Sequence, residues 1–355
     1  MALRVAVVGA GYWGPNLIRN FQNSSDWDLV AVCDLDEKRA RGVVGDHSTV
    51  RVETSLCNVL SRDDVDAVAI ATPAATHKAI AIESLLAGKH VLVEKPLASS
   101  LSDAEEMLSV ASQRGLTLMC DHTYCYTPAV QAIADIISRG DLGDILYVDC
   151  IRINLGLIQP DVDVFWDLAP HDLSILDYIL PGGLNPQGVA AHGADPMRTG
   201  KACVGYLTLP MPSGAIVHAH VNWLSPTKIR QMVVGGSRRT LVWDDLNPQQ
   251  RISIYDRGVD FAVTAEGTAL PERRAANISY RLGDMHAPAV AECEPLGAMV
   301  SEFAAAVRDG RDARTDGSAG VRVLSVLEAA SESLRAGGLL VQVKPNQLLV
   351  EEMAV

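Results

Sequence analysis

The chain has 355 residues, 48% of them apolar, and a net charge of −13. That length supplies a sizeable core and about two domains, and the ordinary balance of charged and apolar residues excludes a disordered chain. The acidic excess argues against nucleic acid and anionic membrane surfaces as partners, since both call for a basic face.

The first ~120 residues alternate short apolar runs with helical patterns. Arg4–Val8, Leu29–Cys33, Ala67–Ala71, His90–Val93 and Thr117–Cys120 read as strands, most of them continuously apolar, as parallel strands covered on both faces are. Tyr12–Asn23, Asp36–Val44, Pro73–Ala87 and Ser102–Arg114 read as helices, the last two closing near Gly88 and Gly115. This alternation predicts a doubly wound α/β unit over residues 1–122. From residue 123 to 355 the character changes. Pro128–Ser138 reads as a helix and Ile145–Asn154 as a long strand. From Gly188 to about Val263 strand follows strand, including Lys201–Leu209, Ala215–Trp223, Lys228–Val234 and Thr240–Trp243. Their hairpin-like spacing predicts a large, mostly antiparallel open sheet. Helical patterns return at Pro295–Arg308 and Gly320–Arg335, completing a second α/β domain.

The seven cysteines form no CxxC pair, which fits reduced thiols in a cytoplasmic protein better than a disulfide framework. Met1-Ala2-Leu3-Arg4 runs straight into the first strand, leaving no room for a signal peptide. No apolar run reaches ~18 residues, so no membrane span is expected.

Gly9-Ala10-Gly11-Tyr12-Trp13-Gly14 follows the first strand and opens the first helix. In that place Gly9 permits the tight turn, Gly11 lets the backbone approach a pyrophosphate, and Gly14 allows close helix–strand packing. The helix N-terminus then stabilises the anion. Asp34, just past the second strand, is placed to accept both ribose hydroxyls and to repel the extra phosphate of NADP, which points to NAD. The plainer role for Asp34, capping the helix from Asp36, is compatible with that. Thr72, Pro73 and His77 follow the fourth strand and should border the dinucleotide, with His77 a helix-start or cofactor-edge residue.

Glu94-Lys95-Pro96 ends a strand at the carboxyl edge of the sheet, where doubly wound folds bind ligands. A lysine there can hydrogen-bond a substrate oxygen and stabilise developing negative charge. A surface pair of Glu94 and Lys95 is the bland alternative. Asp167 and His171, one helical turn apart in Trp166-Asp167-Leu168-Ala169-Pro170-His171-Asp172, project from one helix face. Pro170 suits only a first turn, so the helix is expected to begin near Asp167 and run to about Leu180. Asp167 could then be an N-cap and His171 a solvated first-turn residue. His218 and His220 alternate along a strand and are expected to share one face, but two histidines without a third ligand assign no metal.

In this order the strings resemble the Gfo/Idh/MocA oxidoreductases. They include the opening Gly loop, Ala71-Thr72-Pro73, Glu94-Lys95-Pro96, Asp167 with His171, Glu294-Pro295-Leu296 and Gly320-Val321-Arg322-Val323. The resemblance implies a Rossmann domain followed by an α/β domain whose open sheet serves a homo-oligomer, dimer or tetramer. It gives Lys95 and His171 the catalytic roles, with Asp167 as supporting acid, and sets Tyr12, Trp13, Glu94 and Trp166 at the cofactor. Asp121-His122-Thr123-Tyr124, Arg152 to Leu157 and Trp223-Leu224-Ser225-Pro226 with Lys228 and Arg230 resemble one branch more closely. It is that of sugar 3-dehydrogenases of the UDP-N-acetylglucosaminuronate 3-dehydrogenase kind, which oxidise a pyranose C3 hydroxyl on nucleotide sugars or aminoglycosides.

On this reading His171 takes the hydroxyl proton as hydride leaves, Lys95 donates to the same oxygen, and Asp167 orients the pair. Tyr124, Tyr126, Arg152 and Asn154 are expected to line the sugar pocket. Arg152, Lys228 and Arg230 are candidates for a diphosphate, the last two on one side of a strand, while the acidic chain would suit a polycationic aminoglycoside. A keto-sugar reductase running the other way uses the same residues, and a non-catalytic NAD sensor is the rival from another class.

Overall fold

A computed structural model of the chain describes residues 2–45, 47–159, 162–261 and 278–343. The apolar runs form a six-stranded sheet of β1 (Leu3–Val8), β2 (Trp27–Cys33), β3 (Arg51–Glu53), β4 (Ala67–Ile70), β5 (His90–Glu94) and β6 (Leu118–Asp121). The strands pair in the order β3-β2-β1-β4-β5-β6, all of them parallel. Helices cover both faces: α1 (Gly14–Asn23), α2 (Glu37–Val44), α3 (Leu56–Leu60), α4 (His77–Leu86) and α5 (Leu101–Arg114). Val5, Ala6, Val7, Val68 and Leu92 are accordingly sealed from solvent. The strand order reverses between β1 and β4, and there the carboxyl ends open a crevice. Arg51–Glu53 gave no apolar-run signal because it is three residues long and only partly buried.

After α6 (Pro128–Ser138), β7 (Ile145–Leu155) and α7 (Val164–Ile179), the chain builds a second sheet. Its other strands are β8 (Ala190–Ala194), β9 (Val204–Pro210), β10 (Ile216–Asn222), β11 (Leu224–Gly236), β12 (Thr240–Asp244), β13 (Ile252–Phe261) and β14 (Ile278–His286). The order is β14-β13-β12-β11-β7-β10-β9-β8, with only the β7–β10 pair parallel. The expected open, mostly antiparallel sheet is therefore present. The last residues of the strand-rich run read as far as Val263 lie outside the described residues. On the outer face His218 and His220 lie on one side of β10 and stack on Tyr206, with ring centroids 6.1 and 4.4 Å away.

Two helices close the structure, α8 (Pro295–Asp309) and α9 (Gly317–Arg335). α8 returns to the first sheet, where Trp27 lies between Phe21 and Phe303 and donates its indole N–H to the Val300 carbonyl at 2.9 Å. No helix among the described residues is long and apolar enough to cross a membrane.

The start of α7 corrects the sequence reading. Asp163, not Asp167, is the N-cap, and its carboxylate accepts the N–H groups of Phe165 and Trp166 at 2.9 and 3.1 Å. Pro170 therefore lies inside the helix, where it leaves the Trp166 carbonyl without an intrahelical donor. Asp167 lies in the first turn but Asp163 holds the cap, and His171 lies a turn further in, which removes the capping and first-turn alternatives.

Candidate active site

The Gly loop has the space a dinucleotide needs. Gly9 has φ +101°, and a Cβ there would stand 2.7 Å from the Ala71 backbone. A Cβ on Gly14 would stand 2.2 Å from the Gly9 carbonyl oxygen, so this glycine is required by packing and lies behind the cavity lining. Gly11 faces open space, with nothing within 4 Å of its would-be Cβ. The first turn of α1 carries no side-chain cap, leaving its N–H groups for an anion. Gly9, Gly11, Tyr12, Trp13, Asp34, Thr72, Pro73 and Glu94 line one cavity of about 1060 Å³. The lining residues thus fit a dinucleotide, Gly11 leaving room for its phosphates and Asp34 being an acid that could hold a ribose. Gly11→Ala is expected to leave the urea midpoint unchanged and to weaken NAD binding at least about tenfold in a calorimetric titration. Gly14→Ala is expected to lower the midpoint as well, because its methyl group has nowhere to go.

Asp34 is held rather than free. Its Oδ2 accepts the Ala10 N–H at 2.7 Å and its Oδ1 the Asp36 N–H at 2.9 Å, with the Arg39 guanidinium 3.5 Å away. The cap of α2 is Asp36, which accepts the Arg39 N–H at 3.0 Å, so Asp34 does not serve as the helix cap. His77 is not a cavity residue. It is buried, with Nδ1 2.9 Å from the Pro96 carbonyl and Nε2 2.8 Å from the Thr72 carbonyl, joining two cavity-lining segments from behind.

A second cavity of about 720 Å³ shares Tyr12, Trp13, Thr72 and Glu94 with the first and adds Lys95, Asp121, Thr123, Tyr124, Trp166, Asp167, His171, Arg230 and Asp245. Lys95, at the end of β5, donates to the Asp167 carbonyl at 3.1 Å and stands 3.4 Å from its Oδ1. Trp223 Nε1–H donates to Oδ2 of the same carboxylate at 3.0 Å. Asp167 is thus clamped from two sides and fixes the Lys95 ammonium at the cavity wall. His171 makes no ring hydrogen bond to the described residues, leaving its nitrogens to the cavity. Desolvation first, then the charges of Lys95 and Arg152, hold the His171 imidazole well below its ordinary pKa, so it is neutral and able to accept a proton.

The structure separates the remaining sequence candidates. Tyr124 lines the cavity and meets His171 edge-on at 5.2 Å. Arg152 does not reach it. It is 3% exposed, bonded to Asp172 at 2.7 Å, and lies 4.5 Å from the centre of the Tyr124 ring, so its charge is spent inside the protein. Tyr126 is also buried and bonds Thr315 Oγ1 at 3.0 Å. Asn154 lies off the cavity lining. Lys228 is exposed in the stretch of β11 where the register breaks between Leu224 and Ile229, which undoes the alternation that put it beside Arg230. Arg230 does line the cavity, 3.4 Å from Asp245. Sequence reasoning gave Asp121 and Trp223 no role beyond the strings that carry the resemblance, and it missed Asp245. Asp121 also carried a physical signal, as an acid at a strand's carboxyl end.

A parallel sheet of this order, with a glycine-lined dinucleotide cavity opening onto a Lys–Asp–His cavity, defines a dinucleotide-dependent oxidoreductase. The comparisons agree. Residues 3–122 match the Gfo/Idh/MocA profile, described as an oxidoreductase family with an NAD-binding Rossmann fold. That match identifies residues 3–122 as a domain similar to that family's NAD-binding domain, and NAD is the cofactor. An uncharacterized oxidoreductase of Streptococcus pneumoniae serotype 4 is 32% identical over 56% of this chain and 55% of its own length. UDP-N-acetylglucosamine 3-dehydrogenase of Acidithiobacillus ferrooxidans is 28% identical over 91% of this chain and 94% of that protein. Its structure superposes with TM-score 0.78 at 26% identity, covering 95% of this chain and 99% of that one. GenD2 from gentamicin A biosynthesis, solved with NAD, has TM-score 0.79 at 25% identity and covers 97% of each chain.

Proposed function

We propose that the chain oxidises a pyranose C3 hydroxyl to a ketone, on a nucleotide sugar or an aminoglycoside, with residues 1–122 holding NAD and residues 123–355 holding the sugar. The observation that carries this reading is the Lys95 ammonium fixed by Asp167 on the wall of the cavity that it lines with His171, next to the Gly-loop cavity. Bound NAD supplies the hydride acceptor. Neutral His171 takes the hydroxyl proton, while Lys95 donates to the same oxygen and offsets its growing negative charge. The clamp of Asp167 by Trp223 holds Lys95 in place through the reaction. Full-length similarity to a UDP-N-acetylglucosamine 3-dehydrogenase, and to an enzyme of gentamicin A biosynthesis, supports the sugar and leaves two substrate classes. Arg230 is the cavity cation for a diphosphate, and Asp121, Asp167 and Asp245 are the carboxylates for an amino sugar. The protein is read as a cytoplasmic homo-oligomer joined through the outer face of the large sheet, where Leu146, Tyr147, Tyr206 and Ile216 are exposed.

The test is absorbance at 340 nm with NAD against UDP-glucose, UDP-N-acetylglucosamine, its uronate and several aminoglycosides. Turnover with one member, giving a 3-keto product, is the expected result. No NADH from any of them, with NAD binding demonstrated, would overturn the reading.

A further inference from the structure

Glu94 and Asp121 end the adjacent strands β5 and β6 and stand opposite each other in register. Both line the Lys95 cavity, and Glu94 lines the Gly-loop cavity as well. Set side by side at the buried strand ends, two carboxylates would repel each other, so one of the pair is held protonated. Asp121 accepts the Trp13 Nε1–H at 3.2 Å on Oδ2 and the Thr123 hydroxyl on Oδ1, so it is the ionised member. Glu94 is then the protonated member. Burial, and after it the neighbouring charge of Asp121, raise Glu94 well above the ordinary carboxyl range. The pair therefore carries one net negative charge.

The Lys95 charge reaches both carboxyls without forming a salt bridge to either. Among the described residues neither carboxyl makes a salt bridge, and Lys95, next to Glu94 in sequence, turns to Asp167 instead. The residues common to both cavities are Tyr12, Trp13, Thr72, Glu94 and Gln159. A dinucleotide with its phosphates at Gly11 must bring its nicotinamide ring to this junction to meet a carbon held at Lys95 and His171. That ring is cationic when oxidised and neutral when reduced, and it is the one part of the dinucleotide whose charge changes there.

We propose that the Glu94–Asp121 pair is the counter-charge to the oxidised nicotinamide ring, so that the site holds NAD+ in preference to NADH. The inference rests on the dehydrogenase reading above and adds selectivity for the cofactor's redox state. Two unit charges several ångströms apart in a partly buried site account for about a tenfold preference or more. By linkage, the hydride step on the protein shifts toward NAD+ and alcohol, and the weaker hold on NADH speeds its departure. The protonated member matters because a second charge on Glu94 would repel Asp121 and draw Lys95 away from Asp167.

The experiment titrates the full chain calorimetrically with NAD+ and with NADH, at pH 8 and without sugar. In the wild type, Kd for NADH is expected to exceed Kd for NAD+ about tenfold. Glu94→Gln keeps the charge on Asp121 and should hold this ratio within about twofold. Glu94→Gln combined with Asp121→Asn removes the charge and should lower the ratio about tenfold. If the double variant does not fold, Glu94→Lys, which pairs with Asp121 from the cavity side, should abolish the preference in its place. A wild type that holds NADH more tightly than NAD+, or charge-removing variants with an unchanged ratio, would overturn the inference. A preserved NAD+ preference without turnover of any sugar would sink the proposed reaction and leave this inference standing.

Discussion

His171→Ala and Lys95→Ala are each expected to lower kcat by about 10²–10⁴-fold, the usual contribution of a positioned proton-transfer group. Both side chains face the cavity and neither carries the fold, so the urea midpoint and NAD affinity should stay near wild type. The double variant should lose little more than the worse single one, because the two act on one oxygen as a unit. The pH profile tests the assignment further. His171 works in its neutral form, and burial with the positive charges of Lys95 and Arg152 holds its pKa well below the ordinary 6.5. A base with a lowered pKa loses activity only when the pH falls through that lowered value. The acid limb of kcat/KM should therefore lie below pH 6.5, with activity flat from neutrality down to it. An acid limb at or above 6.5 would remove His171 as the base. Trp223→Phe supplies an intermediate case. It leaves Asp167 Oδ2 without its indole donor, and should lower kcat more than it changes NAD affinity.

Local spacing carried much of this site, and tertiary pairing carried the remainder. The Gly loop, Lys95 after β5, and the one-turn interval from Asp167 to His171 are patterns within single elements, readable without knowing what packs on them. The parallel, doubly wound character of the first sheet likewise follows from continuous apolar strands alternating with helices, though not its strand order. Asp121 acquires its meaning only from the β5–β6 register that sets it against Glu94, and Trp223 only from the fold that carries it to Asp167 across 56 positions. Arg152 was misplaced for a related reason. Alternation along β7 shows that it shares a face with Val148 and Cys150, but not that this face is the sealed one, and its counter-charge lies 20 residues away on α7. The start of α7 was set too late because Pro170 was taken to mark a first turn, whereas Asp163 already closes the helix end.

Asp172→Asn should destabilise the protein by about 3–5 kcal/mol, the cost of leaving a buried charge without its partner. Arg152 donates to Asp172 through Nε at 3.1 Å to both carboxylate oxygens and through Nη2 at 2.7 Å to Oδ1, with the two side chains 3% and 5% exposed. Asparagine keeps the shape and one acceptor oxygen but no charge, so the guanidinium stays in the interior uncompensated. Urea unfolding should show the loss as a lower midpoint with an unchanged slope. The pair also ties α7 to β7 one residue beyond His171, and Arg152 supports the Tyr124 ring that packs on that histidine. Activity measured well below the unfolding midpoint should accordingly fall, with a raised KM as Tyr124 loses its support. Replacing both partners by apolar residues of similar volume, Arg152→Met with Asp172→Leu, separates the two effects. A buried pair exchanged for good packing is often neutral or stabilising, so this variant should recover most of the lost stability. If the pair also serves to hold Tyr124 against His171, the raised KM should persist in the stable double variant. Recovery of both together would show that the charge pair only closes the core, and that Tyr124 is placed by its other neighbours.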